Sequence, residues 1–211
     1  MENILIAGAN GTTGKKIVNL LKETQYFNPI AMVRKEDQKK QFQDKNIDVI
    51  LADLENKDLS KATENIDKII FAAGSGGKKV VEVDQEGAKN LINAAKSNGT
   101  KKFVMLSTMG ADNPDQAKDL KEYLEAKHNA DVFLKESGLN YAIVRPGSLT
   151  NDKGTGKVTL SKKLNQQGSI SRDDVAQTLV RSLHDDVANK EMFEILKGDT
   201  LIGDALDTVK S

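Results

Sequence analysis

Cysteine is absent from the 211 residues, which excludes disulfides, thiolate catalysis, iron–sulfur clusters and cysteine-based zinc sites. Histidine occurs twice, at positions 128 and 184, too few for an imidazole metal cage, so no metal site is expected. An excess of charge of either sign is missing as well, because 31 basic residues balance 31 acidic ones. Without a positive field, neither nucleic acid nor an anionic membrane is an expected partner. No apolar run approaches the roughly 20 residues a membrane span needs. The chain opens on the strand-like Asn3-Ile4-Leu5-Ile6-Ala7 with no basic leader before it, so a cytoplasmic location is expected. Arginine is scarce: four residues, at 34, 145, 172 and 181, against 27 lysines. An arginine kept against that bias points to its planar fork of donors rather than to bulk charge.

With 38% hydrophobic residues, the chain can bury one good core and is too short for two full-sized domains. Short runs rich in Val, Ile and Leu, at 3 to 7, 29 to 33, 47 to 51, 67 to 72, 102 to 107 and 140 to 144, are nearly continuous in apolar character. Strands covered on both faces read this way. Between them lie amphipathic stretches at about 12 to 24, 35 to 44, 58 to 63, 84 to 98 and 116 to 137. The alternation predicts an α/β fold, a doubly wound parallel sheet of Rossmann type with helices on both faces. After Pro146 the chain turns polar and Gly-rich over 148 to 169, with a short strand at 157 to 160, a helix near 172 to 184, a strand near 191 to 196 and a last helix near 202 to 209. Residues 1 to 211 are expected to form a single domain in which 148 to 211 contribute a small substrate lobe.

The first strand runs into Gly8-Ala9-Asn10-Gly11-Thr12-Thr13-Gly14, a G-x-x-G-x-x-G pattern that opens a helix. Glycines permit the tight turn and let backbone approach a pyrophosphate, while the helix N-terminus offers free N–H groups and partial positive charge. In a strand-turn-helix context this predicts a dinucleotide site. NAD binders place a carboxylate about 20 residues beyond the glycines, whereas a 2′-phosphate needs a cation there. This chain has Val33-Arg34-Lys35, with no acid before Glu36. The guanidinium of Arg34 suits a phosphate, so NADP is expected ahead of NAD, unless Arg34 and Lys35 are a solvated pair and Glu36 or Asp37 turns inward.

The glycine loop, Ala52-Asp53-Leu54, Phe71-Ala72-Ala73-Gly74, Leu106-Ser107-Thr108, Tyr123-Leu124-Glu125-Ala126-Lys127 and Ile143-Val144-Arg145-Pro146-Gly147 together resemble the atypical short-chain dehydrogenase/reductases. More narrowly, the chain is similar to small bacterial NAD(P)H-binding proteins grouped with NmrA-like and flavin-reductase-like members. The likeness runs from Met1 to the helix at Ser171-Arg172-Asp173-Asp174-Val175-Ala176. It implies that Asp53 and Leu54 sit against the adenine, that Ala72, Ala73 and Gly74 line the path to the ribose and nicotinamide, and that Pro146 borders the nicotinamide ring. Asp after a strand is also a common turn residue, and that alternative stays open for Asp53.

The resemblance also implies catalytic roles for Ser107, Tyr123 and Lys127. Tyr and Lys at i and i+4 share a helix face, so an ammonium can ease a proton from the phenol and hold the cofactor ribose at once. A helical projection puts Lys127 within an apolar stripe of Leu120, Leu124 and Leu134, with Asp131 beside it and Tyr123 at its edge. Lysine there is costly without a task or a partner, and a Lys127 to Asp131 ion pair is the structural alternative. Ser107 or Thr108 either orients a substrate carbonyl or caps the strand end. His128 and His184 read as surface residues, Arg145 as support for the Pro146 turn or a contact for a substrate anion, and Arg172 as part of a helix start. The reading is an NADP-dependent oxidoreductase passing hydride between nicotinamide and a small carbonyl, quinone or flavin, as a monomer or homodimer. The alternatives are a non-catalytic redox sensor working through a protein partner and a sugar-nucleotide epimerase.

Overall fold

Alternate residues of the central strands face opposite apolar layers. In β1 (Glu2–Ala7), Ile4 and Ile6 enter one layer while Leu5 and Ala7 enter the other. In β5 (Lys102–Leu106), Val104 and Leu106 divide from Phe103 and Met105 in the same way. Beyond their polar first residues these strands are apolar because neither face meets water, and each fully buried Leu, Ile or Phe contributes about 1.5–3 kcal/mol to that arrangement.

The structure, a computed structural model, describes residues 1–209. The remaining strands are β2 (Phe27–Val33), β3 (Asp48–Leu51), β4 (Lys68–Phe71), β6 (Tyr141–Pro146), β7 (Ser148–Thr150), β8 (Lys157–Ser161), β9 (Ser169–Ser171), β10 (Glu191–Lys197) and β11 (Thr200–Leu201). Nine of the eleven form one sheet in the order β11-β8-β10-β6-β5-β4-β1-β2-β3, and β7 pairs with β9 apart from it. All pairings from β3 across to β10 are parallel, and β8 runs antiparallel to both its neighbours. The helices α1 (Thr12–Lys22) and α5 (Arg172–Arg181) pack together on one face. On the other lie α3 (Ala88–Ser97) and α4 (Lys121–Glu136). The doubly wound parallel fold expected from the alternation is the one observed.

Helix boundaries differ from the sequence reading where side chains redirect the backbone. The stretch 35 to 44 breaks into a 3-10 turn, Glu36–Gln38, and the short α2 (Lys40–Gln43), because Gln38 Oε1 accepts the N–H groups of both Arg34 and Lys35. The expected helix at 58 to 63 is a single 3-10 turn, Ser60–Thr63. Val80–Gly87 is wound as a π-helix that leads into α3. The expected start at 116 is two 3-10 turns, and α4 begins at Lys121, so Leu120 falls before the helix and is 56% exposed. Leu124 and Leu134 do face the core, but Leu120 is no part of that stripe, since the 3-10 turns change its rotational phase.

Residues after Pro146 supply β8, β10 and β11 to the C-terminal edge of the main sheet, together with α5 and α6 (Ile202–Asp207). Lys210 and Ser211, the end of the expected lobe, lie outside the described residues. Among the described residues no helix is long and apolar enough to cross a membrane.

Candidate functional site

A cleft of about 1000 Å³ opens at the carboxyl ends of β1, β2, β4 and β5. Parallel sheets leave such a crevice where the crossovers part to opposite faces, which is the usual ligand position in this architecture. Its floor is the glycine loop. Gly8 has φ +87°, and a Cβ there would lie 2.5 Å from the Ala73 nitrogen, so only glycine lets β1 turn this close to the end of β4. A Cβ on Gly14 would run into the carbonyl of Gly8; this glycine packs α1 onto the loop from below and does not line the cleft. The N-cap of α1 is Gly11, with no side-chain cap and no acid in the first turn. The helix therefore presents its free N–H groups and partial positive charge to the cleft, where Asn10, Gly11, Thr12 and Thr13 are walls. These features fit the pyrophosphate of a dinucleotide.

At the end of β2, Arg34 lines the cleft, and its Nη1 lies 3.8 Å from Glu55. Glu36 turns outward to pair with Lys39, and neither it nor Asp37 reaches the cleft wall. Gln38 does line the cleft, although the sequence offered no reason to single it out. Asp53 is both a wall of the cleft and a turn residue, its Oδ1 accepting Glu55 N–H at 3.0 Å. Leu54, Ala72, Ala73 and Gly74 line the cleft beside it. Pro146 does not: it lies buried in β6 beside Ile195, and its carbonyl accepts the Met109 N–H at 2.9 Å.

Ser107, Tyr123 and Lys127 meet at the opposite end of the cleft. Lys127 is 4% exposed, yet its partner is not Asp131. Its Nζ lies 3.3 Å from Asp84 Oδ1, donates to the Leu106 carbonyl at 3.4 Å and sits 5.8 Å from the centroid of the Tyr123 ring. Asp131 shares the helix face with Lys127 but is claimed from elsewhere: its Oδ2 accepts from Ser107 Oγ at 2.8 Å and from Arg145 Nε and Nη2 at 2.9 and 2.8 Å. Burial pushes the Asp131 carboxyl above its ordinary range, outweighing the opposite pull of Arg145 and Ser107. The Ser107 hydroxyl thus spends its one proton on Asp131, and Arg145 is a buried partner of that carboxylate. Neither is placed to donate to a substrate in this arrangement.

Asp84 is the residue the sequence reading missed. It lies on the π-helix, is 2% exposed, pairs with Lys127 through Oδ1 and accepts the Ser75 N–H through Oδ2 at 2.9 Å. It ties Lys127 to the glycine strap that follows β4. No local signal marks it, because one Asp among Glu82, Gln85 and Glu86 looks like solvent-facing helix. Leu120, Val83 and Leu149 add apolar wall near Tyr123, and Arg172 reaches the same cleft while donating to the Leu149 carbonyl and Asn151. The histidines stand away from the cleft, both half-buried: His128 contacts the Ala111 carbonyl and His184 packs against Tyr26 and Phe27.

A family described as NAD(P)H-binding matches residues 8–186. A Bacillus subtilis protein named as an uncharacterized sugar epimerase, YhfK, is 41% identical over 210 residues, covering 96% of this chain and 98% of its own length. A Bacillus halodurans structure assigned provisionally as an NAD-dependent epimerase/dehydratase superposes with a TM-score of 0.93 at 38% identity, over 99% of this chain and 100% of that one. The oxidoreductase ylbE of Lactococcus lactis follows at TM-score 0.89 and 31% identity, over 98% and 96%. The chain belongs to the NAD(P)H-binding family.

Proposed function

We propose that the protein is an NADPH-dependent reductase of short-chain dehydrogenase type, acting in the cytoplasm on a small carbonyl, quinone or flavin. The observation that carries this reading is Lys127, an ammonium buried at the end of the cleft, held by Asp84 and the Leu106 carbonyl with Tyr123 one turn before it. Burying a lysine is expensive, and the two acceptors hold it where it also faces the nucleotide path. The nicotinamide, when bound, supplies hydride to the acceptor, at carbon where that acceptor is a carbonyl. Arg34 grips the 2′-phosphate, the α1 N-terminus holds the pyrophosphate, and Asp53 and Leu54 border the adenine. Lys127 donates to the ribose hydroxyls and its charge stabilises the phenolate left when Tyr123 gives a proton to the acceptor oxygen. Ser107, through Asp131 and Arg145, anchors the end of β5 rather than the substrate. Leu120, Val83 and Leu149 suit a flat apolar acceptor, with part of that wall drawn from the segment after Pro146.

NADPH oxidation measured with a panel of quinones, flavins and aldehydes tests the reading. Turnover by wild type that falls about a hundredfold or more in Tyr123→Phe supports it, in line with the usual size of general acid contributions. Absence of turnover with every acceptor, alongside tight NADPH binding, would turn the assignment toward a redox sensor. The name carried by the 41% identical relative gives a second reading, epimerisation of a nucleotide sugar at the same Tyr123 and Lys127. Product analysis with UDP-sugars in the presence of bound cofactor distinguishes it.

A further inference from the structure

Glu55 stands just outside the cleft with a cation on either side. Its carboxylate accepts the Lys79 ammonium through both oxygens, at 2.7 and 2.9 Å, and its Oε1 also lies 3.8 Å from Arg34 Nη1. The three residues come from different places: Arg34 from the end of β2, Glu55 from the turn after β3, and Lys79 from the glycine strap after β4. Both cations line the cleft and Glu55 does not, so an anion arriving from inside meets the two positive groups first. The Glu55 hydrogen bond favours the charged form of Lys79, while the nearby Arg34 charge opposes it. Glu55 is the carboxylate bonded to Lys79, Glu82 attracts the same ammonium from farther away, and Arg34 has only its 3.8 Å approach to Glu55, so an anion placed between the two cations can compete for both.

We propose that Lys79 and Arg34 form a two-cation clamp for the ribose 2′-phosphate, and that this phosphate displaces Glu55 from Lys79. The inference rests on the NADP reading above and adds a residue and a device to it. The Glu55 to Lys79 pair is half-exposed and so a weak competitor, whereas a phosphate dianion forms stronger charge-assisted bonds to both cations. Because Lys79 belongs to the strap, choosing the phosphorylated nucleotide and seating the strap over the cleft become one event. A nucleotide without the 2′-phosphate leaves the Glu55 latch as it is.

Calorimetric titration of the full chain with NADPH, NADH, 2′,5′-ADP and 5′-ADP reads this without turnover. Lys79→Met is expected to weaken NADPH and 2′,5′-ADP about tenfold, the loss of one charge-assisted contact, and to leave NADH and 5′-ADP unchanged. Lys79→Arg should restore the phosphorylated pair, and Glu55→Gln should tighten 2′,5′-ADP several-fold by removing the competing carboxylate. Equal losses for NADPH and NADH in Lys79→Met, no loss for either, or no rescue by arginine would overturn the clamp. A wild type that does not distinguish NADPH from NADH fails the NADP reading and the clamp with it. A wild-type preference that survives undiminished in Lys79→Met sinks the clamp alone. Lys79 is half-exposed, so each variant's melting temperature without ligand should match wild type and exclude a folding defect.

Discussion

Replacing Lys127 by methionine strips Asp84 of its cation at a position that solvent barely reaches. The two side chains are 5% and 2% exposed and 3.3 Å apart, so the carboxylate left behind is a buried, unpaired charge. Removing one partner of such a pair costs about 3–5 kcal/mol. The Ser75 N–H still bonds Asp84 Oδ2, which favours the lower figure. For a chain of this size, about 3 kcal/mol corresponds to a fall of roughly 6–12 °C in melting temperature. Adding Asp84→Asn removes the orphaned charge while keeping an acceptor for Ser75. The double variant is therefore expected to return to within about 1–2 kcal/mol of wild type, as replaced buried pairs often do. Urea unfolding at pH 7 of all four proteins gives the coupling energy, provided the m-values agree. Additivity to within about 0.5 kcal/mol would refute the pairing as the reason Lys127 is tolerated in the core. Function should separate from stability in the same set. NADPH at about 100 times its dissociation constant raises wild-type stability by about 2.7 kcal/mol. On the proposed role of Lys127 as a nucleotide contact, the double variant is expected to regain its fold but to lose a large part of this increment, because in that role Asp84 only positions Lys127.

Gly8→Ala combines a φ of +87° with a Cβ 2.5 Å from the Ala73 nitrogen, so it should cost several kcal/mol and abolish NADPH binding by displacing β1 from β4. Thermal melts with and without NADPH check both effects. Lys102, fully buried beside Lys68, is held down to about 8, by burial first and by repulsion from Lys68 second. Its folded value lies below the unfolded one of about 10.4, so between those limits the unfolded state binds the extra proton and stability should rise with pH. Comparing wild type with Lys102→Met across pH 7.5 to 10.5 isolates this; a difference that stays flat or falls contradicts it. Leu120→Ser at the exposed lip of the cleft should leave stability within about 0.5 kcal/mol while raising KM for an apolar acceptor, read from steady-state kinetics.

The doubly wound fold was legible because it rests on local patterns. Unbroken apolar runs marked the strands buried on both faces, and a glycine run between strand and helix marked the turn at Gly8 to Gly14. Strands of two or three residues, Ser148–Thr150, Ser169–Ser171 and Thr200–Leu201, were not legible, since so few residues carry no period. The helix expected from 116 placed Leu120 on the core side, and only the 3-10 geometry before Lys121 moved it to the rim of the cleft.

The sequence by itself determined which side chains carry charge and which backbone positions demand glycine. It therefore determined the parallel sheet, the dinucleotide turn and the lysine that must justify its burial on α4. The tertiary structure alone decided the partners. Lys127 and Asp131 share a helix face, yet each is neutralised from a different element, Lys127 by Asp84 from the π-helix and Asp131 by Arg145 from β6. Helical spacing fixes which residues are neighbours along one element. Which carboxylate meets which cation in the interior depends on how separate elements pack, where an unpaired charge is too costly to leave.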